Sequence, residues 1–491
     1  MNNQMRITFH LLIIAFLFLP LAPLPAQQVK AVPARKARAL PALRKAVSDE
    51  LIGPLFQRTL AAVEISDAAN GTVLFSRNET LFLRPASNAK LFTSAAAVLG
   101  LPTDFRFETR LAVTDSAKRT LVCIGGGDPL STAQDIQKLA EIAQHAGVVH
   151  IDTLLMDGTL FDADYFGSGW MWDDEPDPFM PYLSAFSING NTATIFVKSS
   201  AKNISTLEFS TEPSSREFDI SRGVDSGDPT QFRIERVPRS NDFIVHGSPR
   251  KGKTESEQFS IWRPQVLFAD IFLGELRRLG IADDSVVLVL PASPISSLPL
   301  GEVGHSLSEV LAVMNKESDN LCAEAVLRAL CYGTGRKLSA VSANDGLAAM
   351  SSIFGRNGIS SSDIALRDGS GISFYNLVTA ASIGRVLRRL TTPTVFERYR
   401  SSLSIAGVDG TLRNRMTTLS PFPAFRGKTG TVRGVSALSG YVQAPGGRLL
   451  TIVILMQNFV GKPSPYREVQ DRIIKHCLDY STSFKAVKQP R

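Results

Sequence analysis

The chain is expected to be an α+β protein whose catalytic domain, an antiparallel sheet flanked by helices, is split in sequence by a long insertion with a β-rich subdomain. Three observations lead there. An apolar, alanine-rich run (Leu91, Phe92, Ala95 to Leu99) follows Pro85 and the tetrad Ser87-Asn88-Ala89-Lys90, the pattern of a buried helix entered through proline. Val432, the small residues Ser436 to Gly440 and the β-branched run Leu449 to Met456, with Pro445-Gly446-Gly447 as a turn, read as a hairpin behind Lys428-Thr429-Gly430. Finally, positions 87 and 318 stand 231 residues apart, a gap that an inserted module must fill, whereas Ser318 and Lys428 are 110 apart. A length of 491 residues also exceeds what one hydrophobic core usually holds.

Taken in order, Arg6 and the apolar run Phe9 to Leu24 read as a secretory signal over residues 1–26, cleaved after Ala26. The alternative is an uncleaved anchor, against which Pro20, Pro23 and Pro25 interrupt a run already short for a span. No cysteine follows the cleavage point, so lipid attachment is not expected. Export would place the protein in the periplasm or on the outer side of the membrane. Lys30, Arg35, Lys36, Arg38, Arg44 and Lys45 hold part of the net charge of +7. They read as a solvated segment, with weak attachment to an anionic wall or membrane surface as the functional alternative. No nucleic-acid motif accompanies them.

Residues 38–103 and 260–485 are expected to form the discontinuous catalytic domain, and 104–259 the insertion. Its inner subdomain, about 204–257, is polar and holds strand-like pieces such as Gln231 to Ile234 and Asp242 to Val245. With 44% hydrophobic and 20% charged residues, the composition is globular. Cys123, Cys322, Cys331 and Cys477 fit no zinc spacing and are read as buried small apolar residues.

The chemistry lies in three motifs. A serine hydroxyl is a poor nucleophile unless a neighbour takes its proton, and a lysine three residues on returns to the same helix face. Ser87 and Lys90 have that spacing, and the first turn of a helix favours a developing oxyanion. The same spacing at Ser199-Lys202 and Ser248-Lys251 falls in polar, turn-rich text with no apolar helix behind it, and is chance. Ser318-Asp319-Asn320 lies between helical patterns, Leu307 to Met314 and Leu321 to Tyr332, where a short turn could aim side chains into a cleft. Lys-Thr-Gly occurs once. Together the motifs make three walls of one groove.

This motif set is that of class A β-lactamases and penicillin-binding proteins. The chain resembles the D-alanyl-D-alanine carboxypeptidase/endopeptidase family, the class C low-molecular-mass penicillin-binding proteins. Further family-like segments are Gly125-Gly126-Gly127-Asp128-Pro129, Gly169-Trp170-Met171-Trp172-Asp173-Asp174, Asp368-Gly369-Ser370-Gly371 with Tyr375-Asn376, and Asp409-Gly410-Thr411-Leu412-Arg413. The resemblance implies a transpeptidase/β-lactamase-like domain carrying the insertion, and an enzyme that hydrolyses peptidoglycan stem peptides or cross-links through an acyl-enzyme and binds penicillin. It implies Ser87 as nucleophile, Lys90 as its base and Ser318 as a proton relay to the leaving amine. Asn320 would hold the peptide, Lys428 and Thr429 its terminal carboxylate, and the backbone N–H groups of Ser87 and Thr431 the oxyanion. It points to Asp174 for the free amino end of the third-residue side chain. Many relatives carry an arginine after Asp-Gly-Ser-Gly-x-Ser; this chain has Phe374 there. Asp368 and Asn376 are expected to brace the groove.

No cofactor or metal is implied, and the six histidines show no His-Glu-x-x-His arrangement. A Gly-x-Ser-x-Gly elbow is also missing. A catalytically silent wall-binding or penicillin-sensing protein would keep the fold, but has no need of all six of Ser87, Lys90, Ser318, Asn320, Lys428 and Thr429. A serine β-lactamase or esterase would share the first step; the long insertion and the lack of an obvious deacylating glutamate disfavour it.

Overall fold

A central six-stranded antiparallel sheet organises the catalytic region, in the order Ser404–Ile405, Phe425–Val432, Val435–Gln443, Leu449–Gln457, Leu60–Asp67 and Val73–Arg77. The structure is a computed structural model that describes residues 34–202, 205–223, 231–290, 296–335, 339–419, 424–443 and 447–483. The expected signal sequence, Lys30 and the Pro445-Gly446 part of the turn lie outside the described residues.

The run Leu449–Gln457 is almost continuously apolar because both faces of its strand are covered. Alternate residues serve different cores. Val453 and Leu455 join Ala62, Ala437 and Tyr441 under the helix Ala89–Gly100 that follows Ser87. Ile452 and Ile454 join Val63, Ile65 and Leu438 on the opposite face, under the helices Ala34–Glu50 and Ser464–Thr482. The helix Ala89–Gly100 is buried from Ala89 to Val98. Its alanines let the helices Asn320–Ala329, Ala343–Arg356 and Pro393–Ser402 pack against it, with Phe92 and Phe354 at a ring separation of 6.5 Å.

The insertion has its own five-stranded sheet, in the order Val287–Val289, Thr153–Asp157, Thr120–Ile124, Arg106–Val113 and Leu298–Ser306. Two three-stranded sheets, drawn from residues 192–260, share a small core of Ile195, Val197, Ile234, Phe243, Val245 and Phe259.

These pairings differ from the expected boundary at 259/260. The helix Pro264–Arg278 buries Phe268 and Phe272 in the core of the insertion, and Leu298–Ser306 pairs with Arg106–Val113 across the gap in sequence. The insertion therefore runs to Ser306, and its β-rich part is wider than 204–257. Sequence reasoning stopped early because an amphipathic helix does not announce which core it covers. All four cysteines are buried and free. Among the described residues no helix is long and apolar enough to cross a membrane.

Candidate active site

Pro85 leads into a 3₁₀ turn, Ala86–Asn88, and the α-helix proper begins at Ala89. Ser87 thus sits on the tight turn ahead of the helix, half-buried, with Lys90 in the first α-helical turn and fully buried. The Lys90 ammonium lies 3.4 Å from Ser87 Oγ and donates to Asn320 Oδ1 at 2.6 Å and to the Ser370 carbonyl at 2.8 Å. Lys428 Nζ, also fully buried, donates to Ser318 Oγ at 2.8 Å and to the Thr429 carbonyl at 3.0 Å. Each of the two serines therefore has its own lysine.

Backbone geometry at these positions is unusual. Ala86 and Ser318 take positive φ values of 46° and 67°, a region that costs a non-glycine residue roughly 1–3 kcal/mol and is found where tertiary contacts enforce it. The contacts are visible. Asp319 caps the helix that starts at Asn320, its Oδ1 accepting from Cys322 N at 2.7 Å, which turns Ser318 toward Lys428. Gly430 lets the Lys-Thr-Gly strand close on the Ser87 turn, since a Cβ there would stand 2.8 Å from the Pro85 carbonyl and 3.1 Å from Ser87 N. Asn88 Nδ2 ties the two by donating to the Lys428 carbonyl at 3.2 Å.

Behind Ala86 lies the Asp368-Gly369-Ser370-Gly371 loop. Asp368 is buried and accepts from Gly371 N (2.8 Å), Ser373 N (2.7 Å), Asn376 Nδ2 (2.7 Å) and Trp170 Nε1 (3.0 Å). Gly371 has φ +90°, and a Cβ on it would come 1.9 Å from the Ala86 carbonyl. Gly371→Ala is therefore expected to destabilise the protein by about 2–3 kcal/mol, or to push the Ser87 turn out of place. Thermal unfolding together with the penicillin acylation rate checks this; wild-type values in both would show that the loop does not press on that turn.

Glu324, one helical turn after Asn320, was not singled out from the sequence. It is buried, and its Oε1 accepts from both Gly369 N (2.9 Å) and Ser370 N (3.0 Å), fixing the backbone just ahead of the Ser370 carbonyl that receives Lys90. An acid at i+4 from a motif residue, within the apolar stretch Leu321 to Leu327, was the available signal.

Burial dominates the electrostatics. It lowers the Lys90 pKa to about 8, although Asp319, Asp368 and Glu324 pull it back up. Burial, and then the Lys90 charge, also push Lys428 well down. Burial and the nearby Asp368 raise Glu324 to about 7.

The open cleft above these groups has a volume of about 700 Å³, and Ser87, Ser318, Asn320, Thr431, Asp174 and Phe374 line it. Thr429 sits at the edge and donates to Thr411 Oγ1 at 2.8 Å, within the Asp409-to-Arg413 segment. With Oδ1 on Lys90, Asn320 Nδ2 donates one N–H to the Phe179 carbonyl at 2.7 Å, and the second N–H remains available at the cleft that Asn320 lines. Phe374 lies under the Arg84 guanidinium, 5.1 Å from the ring centre. Arg433, on the turn after Val432, lines the cleft with Asp174, and sequence reasoning missed it. Burial and its neighbours Asp173 and Asp177 raise the Asp174 pKa.

Residues 43–476 match the profile of the D-Ala-D-Ala carboxypeptidase 3 (S13) family. The chain is 29% identical over 463 residues to a D-alanyl-D-alanine carboxypeptidase of Actinomadura sp. (strain R39), covering 89% of this chain and 85% of the relative. It is 27% identical over 401 residues to the D-alanyl-D-alanine carboxypeptidase DacB of Haemophilus influenzae, covering 79% and 83%. The solved structure of penicillin binding protein 4 (dacB) from Haemophilus influenzae superposes with a TM-score of 0.77 at 25% identity, covering 88% of this chain and 99% of that one.

Proposed function

Because this chain belongs to the D-Ala-D-Ala carboxypeptidase 3 (S13) family, we propose that the paired serine–lysine cleft carries out that family's hydrolysis, with each residue in the role set out here. The protein is a serine-type D-alanyl-D-alanine carboxypeptidase/endopeptidase that acts on peptidoglycan stem peptides through an acyl-enzyme and binds penicillin. The observation that carries the assignment of roles is the pairing of Ser87 with Lys90 and of Ser318 with Lys428.

Lys90, when neutral, takes the proton of Ser87, whose Oγ attacks the carbonyl of the penultimate D-alanine. The backbone N–H groups of Ser87 and Thr431 hold the oxyanion. Ser318 passes a proton to the leaving amine, and the terminal D-alanine departs with its carboxylate beside Lys428 and Thr429. That carboxylate favours the charged form of Lys428, and a charged Lys428 in turn disfavours charge on Lys90. Substrate arrival thereby helps to make the base. Asn320 orients Lys90 through Oδ1, and the second N–H of its amide holds the substrate peptide. Water then releases the acyl group; a β-lactam forms the same ester and stays.

Asp174 takes the amino end of the third-residue side chain. Arg433 supplies across the cleft the cation that Phe374 does not. Asp174→Asn is expected to raise KM roughly 5- to 30-fold for stem peptides with a free side-chain amine, leaving kcat and penicillin acylation unchanged. Chromatography and mass spectrometry of products from pentapeptide and cross-linked muropeptides would measure this, together with the balance of carboxypeptidase and endopeptidase action. An unchanged KM would remove Asp174 from the site. The apolar leader supports export to the periplasmic side, where peptidoglycan lies.

A further inference from the structure

We propose that a second cavity, next to the catalytic cleft, binds an N-acetylhexosamine ring of the glycan strand, so that the enzyme reads its substrate as a glycopeptide. This rests on the peptidoglycan reading above. The cavity measures about 510 Å³ and is walled by Tyr165, Phe166, Trp172, Tyr182, Trp262 and Arg239. The 3₁₀ turn Trp172–Asp174 contributes to both: Trp172 lines the cavity, while Asp173 and Asp174 line the cleft.

The chemistry of the wall fits a sugar. The rings form a file, with Tyr165 and Trp262 6.0 Å apart, Trp262 and Tyr182 4.9 Å, and Tyr182 and Phe166 5.8 Å. Trp172 leaves 82% of its surface in solvent, unusual for so large an apolar group unless something stacks on it. Aromatic faces suit the C–H face of a pyranose, and a few placed polar groups suit its hydroxyls and acetamide. Asp164, Glu175 and Arg239 provide those groups. Behind the wall, Gln265 Nε2 donates to the Tyr165 hydroxyl at 2.7 Å, while the buried Gln265 Oε1 has no hydrogen-bond partner among the described residues.

The floor is rigid, because Glu175 accepts from the Tyr182 hydroxyl, from the buried Arg236 guanidinium and from Arg239 N (3.2 Å).

All three tryptophans of the chain take part, since Trp170 packs on Phe166 at 5.2 Å, so intrinsic fluorescence reports on the cavity. Titrating the whole protein with the peptide-free N-acetylglucosamine–N-acetylmuramic acid disaccharide should give a saturable change, weakened in Arg239→Gln. Wild-type kcat/KM should favour the disaccharide-pentapeptide over the sugar-free pentapeptide by about tenfold, through KM. In Trp262→Ala and Arg239→Gln that ratio should fall to about 1, with sugar-free hydrolysis and penicillin acylation kept. Arg239 is exposed and its replacement does not threaten the fold.

A wild-type ratio near 1, or one unchanged in both variants, overturns the proposal. So does a saturable fluorescence response to the sugar-free pentapeptide in protein whose catalytic cleft is already blocked by covalently bound penicillin, which would give the cavity to a second peptide. A protein inactive on every peptide would sink the catalytic reading instead, and the disaccharide titration would still decide the cavity.

Discussion

Ser87→Ala is expected to abolish both the covalent penicillin adduct and the hydrolysis of D-Ala-D-Ala peptides, with a rate loss of roughly 10⁴-fold or more. The size follows from the chemistry, because no other hydroxyl can take over. Ser318 also lines the cleft, but its Oγ is bonded to Lys428, and the lysine proposed as base lies next to Ser87. Intact-protein mass spectrometry with a labelled penicillin checks it directly. Wild type should gain the mass of one penicillin and keep it, and the variant should gain nothing. The fold should be untouched, since removing one half-buried hydroxyl leaves neither a cavity nor a buried charge. An adduct that persists in Ser87→Ala would move the nucleophile elsewhere, whereas an adduct that forms on the wild type and clears within minutes would favour β-lactamase action.

How legible this was from sequence depends on how local each feature is. The helix after Ser87, the helix pair around Ser318 and the hairpin after Lys428 all announce themselves through periodicity and turn residues, and the structure has them there. The edges of the insertion did not, because strand Leu298–Ser306 belongs to it only by pairing with Arg106–Val113, nearly 200 residues earlier. The same holds within the site. Ser87 and Lys90 are a local pair, but the bond of Asn320 to Lys90 joins residues 230 apart, and Glu324 acquires its place only through the amides of residues 369 and 370. Motifs fix which groups are present; what each group spends its hydrogen bonds on is tertiary. The bonds of the cleft-lining Asn320 amide to Lys90 and to the Phe179 carbonyl likewise exist only in the folded chain.

Lys90 should show the second large effect, and the pH dependence separates its role as base from a merely structural one. Lys90→Met, similar in length and apolar, is expected to slow acylation by roughly 10²–10⁴-fold, the usual worth of a positioned general base. In the wild type the base must be neutral. With its pKa lowered by burial to about 8, roughly a tenth of Lys90 is neutral at pH 7. The acylation rate at low penicillin should therefore climb about tenfold per pH unit below 7 and level off above about 8. Glu324→Gln tests the cause. The Glu324 carboxylate favours the charged lysine, so its removal lowers the Lys90 pKa further and moves the rising limb to lower pH, while the new side-chain carbonyl can still accept from Gly369 and Ser370. A loss of rate with no displacement of the limb would make Glu324 a scaffold alone. A wild-type rate flat from pH 6 to 9, or a Lys90→Met protein that acylates normally, would mean that another group takes the Ser87 proton. Lys428 would be the first to test, as the other buried lysine whose pKa burial drives down.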